Sequence, residues 1–194
     1  LSSSEVYALN YRTSMLAQFG ISSLQTSRLD ELLFFAAGYL AATDPTKLDL
    51  YRKEDKLIYS MSAGDATVVL IDFFGLQPDY SVLDESHGVR LSADILYFEN
   101  SPESYNPYVA VISSIEEDPE NRMYCNVTYD LYHVTDQSLS WYDYEPFYNM
   151  TAEEAAQNAS LMKIRTINEQ IFCLSEDSDR YDTCWIKSFD IVDG

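Results

Sequence analysis

With 194 residues, 46% of them hydrophobic and 14% aromatic, the chain is long enough to bury a core and too apolar for a disordered segment. Its 32 acidic against 12 basic side chains leave a net charge of −20, which repels phosphate backbones and anionic lipid and argues against nucleic acid as a partner. No linker-like composition interrupts it, so the chain reads as one domain spanning 1–194.

The segment 22–42 carries Leu24, Leu29, Leu32, Leu33, Ala36, Ala37 and Leu40 at three- and four-residue steps, the spacing of a helix stripe. Upstream, Val6, Leu9, Leu16, Phe19 and Ile21 continue a looser stripe. The pattern predicts one helix over 4–42, roughly 57 Å long at ~1.5 Å per residue. A helix of that length projects beyond a small domain, leaves Arg12, Thr13 and Ser14 exposed, and can bend at Gly20. On this reading 1–42 is the helix and 43–194 a β-rich head, with Leu9, Leu16, Phe19 and Leu24 available to other subunits.

Asp44-Pro45 stops the helix, because proline cannot continue the hydrogen-bond ladder. After a charged connection over 46–55, β-branched and aromatic runs at 56–61 and 66–74 read as a hairpin about Ala63-Gly64-Asp65. Strands follow at 92–99 and 108–115, and 122–134 alternates cleanly between faces. The run 138–144 reads as its antiparallel partner. Thr151 is placed to cap a short helix with Glu153 and Glu154 in its first turn. Strands at 161–166, through Phe172, and at 185–192 complete an α+β class: a long N-terminal helix laid on an antiparallel sheet.

Cys173 and Cys184 flank a short acidic loop, a spacing that suits a disulfide in an oxidising compartment; the other possibility is three reduced thiols. Cys125 is the odd one and is expected to be buried. Within that loop Asp177, Asp179 and Asp182, beside Glu176, can gather oxygen ligands around Ca²⁺. No glycine sits at its bend and no spaced glutamate follows, so a solvated acidic loop is the expectation and calcium the lesser alternative. The two histidines, His87 and His133, fit no zinc, triad or acid–base spacing, and no G-x-S-x-G elbow or glycine-rich phosphate loop occurs. No catalytic residue and no resident cofactor is expected.

In this order the pieces resemble the PilW-like minor pilins of type IV pilus systems, within the wider family that includes the type II secretion pseudopilins. The likeness rests on Leu24-Gln25, Arg28, Leu32 and Ala37-Gly38-Tyr39 of the helix, and on Ser92-Ala93-Asp94-Ile95-Leu96-Tyr97. It continues through Val127-Thr128-Tyr129 with Leu139-Ser140-Trp141, and Asn158-Ala159-Ser160-Leu161. The family's cleavable hydrophobic N-terminus is not in the sequence, and its anchor is inferred from the abrupt start inside helix at Leu1 to Ser4. The resemblance implies a structural subunit that helps initiate or cap a filament by contacts with other pilins. It would be held first in the bacterial inner membrane and periplasm and later in a cell-surface filament. An extracytoplasmic ligand-binding sensor domain of a membrane receptor is the second reading, since it too begins with a long helix under a sheet.

Overall fold

Gly20 takes a φ of +85°, the left-handed region that ends helices, and the helix expected over 4–42 stops before it. In this computed structural model, which describes residues 1–53, 56–100, 105–173 and 184–193, two helices replace it. The chain order is α1 (Ser3–Gln18), α2 (Leu29–Thr43), β1 (Leu48–Lys53), β2 (Lys56–Ser62), α3 (Ala63–Phe74), β3 (Val89–Ser92) and β4 (Ile95–Phe98). There follow β5 (Tyr108–Glu117), β6 (Tyr124–Val134), α4 (Glu145–Tyr148), α5 (Ala152–Gln157), β7 (Leu161–Cys173) and β8 (Cys184–Val192). The class is α+β as expected, with two antiparallel sheets where one was foreseen. Its contacts gather into two compact units: Leu1–Gln18, Ser22–Gln25 and Asn106–Gly194 form one, Phe19–Ile21 and Thr26–Tyr105 the other. The chain passes between them at residues 18–26 and at 105–106, stretches too short to carry a linker's composition.

The first unit is a four-stranded meander in the order β5-β6-β7-β8 with α1 packed on it. Helix formation is lost after Gln18 to a competing use of the backbone: Leu24 N donates to Phe189 O at 2.8 Å and Ile191 N to Ser22 O at 2.8 Å, so 22–24 lies along the outer edge of β8. Two sheet bonds and a left-handed glycine outweigh a helix propensity worth tenths of a kcal/mol per residue. Along β6 the inward phase runs Cys125, Val127, Tyr129, Leu131, then shifts by one to Tyr132 and Val134 at the register break against β7. The run 138–144 is not the partner of β6. Ser140 and Asp143 cap each other over a helical turn at Trp141–Tyr144, with Pro146 following, and β7 pairs with β6 instead. Thr151 caps α5 as expected, accepting from Glu154 N at 3.3 Å.

The second unit packs α2 and α3 with a sheet in the order β1-β2-β4-β3. The expected strand over 66–74 is helix α3. Ser62 accepts from Gly64 N and Asp65 N to cap its start, Gly75 at φ +60° closes its end, and Ala63, Ala66, Val69, Leu70, Phe73 and Phe74 are buried at helical steps. The capping signals outrank the β-branched composition that suggested a strand. Residues 48–53, expected as connection, are strand β1, and the strand expected over 92–99 is divided by a turn at Ala93 and Asp94, both at positive φ. In the core, Phe35 meets Phe73 edge-on at 5.0 Å, as does Tyr39, and Phe34 meets Phe98 at 5.3 Å. Gly38 packs closely: a Cβ there would collide with the ring of Phe19.

Candidate functional site

Among the described residues edge strand β5 has no strand on its outer side, and α1 supplies partners there with side chains. Asn10 Oδ1 accepts from Ile112 N at 2.8 Å, Ser14 Oγ from Ala110 N at 2.8 Å, and Gln18 Nε2 donates to Tyr108 O at 2.7 Å. The i, i+4, i+8 spacing of Asn10, Ser14 and Gln18 puts all three on one face of the helix. That face is turned into the protein, with Asn10 and Ser14 at 0% exposure. The expectation that Thr13 and Ser14 lie in solvent is therefore corrected, and Arg12 is half-buried. Polar side chains here do the work of a neighbouring strand and close the edge to other chains.

One turn away, Thr13 Oγ1 donates to Glu169 Oε2 at 2.9 Å, and Tyr129 OH donates to Glu169 Oε1 at 3.2 Å. Glu169 occupies the inward phase of β7, in step with Ile167, Ile171 and Cys173, and across the sheet it lies opposite Val127 and Phe189. Burial pushes its carboxyl up to about 7, even though the bonds from Thr13 and Tyr129 and the charge of Arg12 pull the other way. Arg12 Nη1 donates to Cys184 O at 2.7 Å and to its Sγ at 3.4 Å. Burial raises the Cys184 thiol to about 11 against the pull of Arg12. The result is a buried polar cluster of Arg12, Thr13, Tyr129, Glu169 and Cys184 joining α1 to three strands.

No family model, curated protein or solved structure matches this chain. A carboxyl that is 3% exposed and titrates near neutrality cannot meet a substrate, but it can make the seat of α1 respond to pH.

The expected contact residues fall elsewhere. Leu9 and Leu16, at 1% and 0% exposure, belong to the core of the first unit and are closed to other subunits. Leu24 is half-buried and bound by its backbone to Phe189, while half-buried Phe19 lies against Gly38. Cys173 and Cys184 form no disulfide in the structure, although the strand register sets them directly opposite each other; Cys125 is buried as expected. Asp177, Asp179 and Asp182, with the calcium reading they carry, lie outside the described residues. In the second unit Arg28 forks onto buried Asp30 at 3.0 and 2.8 Å, and His87 Nδ1 approaches Asp30 Oδ1 at 3.5 Å, which ties the start of α2 to the turn at Glu85–His87.

Glu169 was the residue that sequence reasoning passed over. Its signal is present in the run Ile167-Asn168-Glu169-Gln170-Ile171: a carboxylate at the position where an alternating strand calls for an apolar side chain.

Proposed function

We propose that the chain is a structural, non-catalytic assembly subunit with a pilin-like first unit. The observation that supports this reading is α1, a 16-residue helix held to a four-stranded antiparallel meander by its own polar side chains, shorter than the long helix that the resemblance to minor pilins implies. With Leu9 and Leu16 enclosed, contact with neighbouring subunits passes from the helix stripe to the outer faces. There, among the described residues, Tyr142 at 70% and Met162 at 53% exposure are uncovered apolar side chains of the meander unit. Among the described residues no helix is long and apolar enough to cross a membrane.

Deletion of the chain in its cell of origin, with filaments counted by electron microscopy and sheared filaments probed with an antibody to the chain, tests this reading. Assembly function requires fewer or shorter filaments and the chain within the wild-type ones. Normal filaments lacking the chain would refute it and leave the sensor reading as the one to pursue.

A further inference from the structure

Three cysteines allow three pairings, and the sheet discriminates among them. Cys173 ends β7 and Cys184 begins β8, and the two are partners in the antiparallel register, next to the Phe172–Trp185 pair with ring centroids 6.0 Å apart. Residues directly opposed in such a ladder have Cα atoms about 4.5–5.5 Å apart. A disulfide spans about 4.4–6.8 Å between Cα atoms, so this pair can close without moving the backbone. Cys125 faces Ile171, two positions from Cys173 along the same strand. That diagonal is about 7–8 Å, at or beyond the reach of a disulfide. Cys125 and Cys184 lie on strands separated by β7 and two positions out of line, roughly 11–12 Å apart.

We infer that Cys173 and Cys184 are a cross-strand disulfide pair that staples the β7–β8 ladder at the ends of segment 174–183, while Cys125 is a permanent thiol. The partner in closure is a small or protein-borne disulfide such as oxidised glutathione. Cys173 as thiolate attacks one of its sulfurs and expels a thiolate, forming a mixed disulfide. Cys184 as thiolate then attacks the Cys173 sulfur and expels the second thiolate. The two protons and two electrons of the cysteine pair end on two glutathione thiols. Closure belongs to the assembling strand pair, because in the finished core Cys173 and Cys184 are 0% and 2% exposed. This inference stands apart from the assembly reading: a chain that closes the bond but builds no filament leaves it intact.

The test is refolding of the full chain in a glutathione redox buffer, followed by alkylation in denaturant, mass measurement and mapping of linked peptides. One alkylated thiol, at Cys125, and a peptide linked through Cys173 and Cys184 are expected. The Cys125→Ser chain should close the same bond with no alkylated thiol. Closure should also raise the melting midpoint by roughly 5–10 °C over the reduced chain. Three alkylated thiols after refolding with excess oxidised glutathione, or a bond that includes Cys125, would overturn it.

Discussion

Glu169→Gln is the substitution that isolates the buried carboxyl. An unfolded glutamate loses its proton around its ordinary value of 4.5, whereas the folded chain holds it to about 7. Between those values the native state binds more protons than the unfolded state, so this group's contribution to stability is complete below about 4.5 and lost as pH rises through about 7. At about 1.4 kcal/mol per unit, the ionised group above neutrality costs about 3 kcal/mol. No discount for solvent applies, since the side chain is enclosed. Glutamine keeps the shape, its oxygen can still accept from Thr13, its amide can donate to Tyr129, and it has no proton to lose. Urea unfolding followed by tryptophan and tyrosine fluorescence at pH 5, 6, 7 and 8 should find the two chains close at pH 5. Glu169→Gln should be more stable by about 2–3 kcal/mol at pH 8. Comparison between the chains cancels the general loss of stability that a net charge of −20 brings as pH rises. If both chains show one slope across this range, the carboxyl is ionised throughout and the reasoning fails.

Ser14→Ala leaves Ala110 N without the 2.8 Å acceptor that α1 provides and should cost about 1–3 kcal/mol in the same assay; an unchanged midpoint would mean the strand edge is satisfied another way. Gly38→Ala should destabilise by about 1–3 kcal/mol by colliding with Phe19, and the cost should shrink when combined with Phe19→Leu; two independent effects would refute the contact. Leu16→Asp should abolish cooperative melting of the first unit by burying an unpaired charge, whereas a normal melt would return the stripe of α1 to solvent and to other subunits.

Much of the meander was legible because each signal was local. The alternation from Cys125 to Leu131 and Thr151 with Glu154 state their structure within a few residues, as Asp44-Pro45 does for the end of α2 in the other unit. The segment 66–74 misled because Thr67, Val68, Val69 and Ile71 favour strands, while the caps that make it helical, Ser62 and Gly75, lie outside it. The candidate site was illegible for a different reason. Asn10, Thr13, Ser14 and Gln18 look like a solvent face, and only β5 and Glu169, about 90–155 residues downstream, turn that face inward.

Composition and spacing alone established an acidic α+β chain, the alternation of β6, the capped start of α5 and the stop after α2. Each of these follows from backbone hydrogen bonds or side-chain periodicity that a short segment satisfies for itself. Tertiary contacts settled where the first helix ends, which polar residues are buried, and which cysteines face each other. A backbone group or a carboxyl pays for desolvation according to the partner it finds, and for α1 that partner is an edge strand on the far side of the sequence.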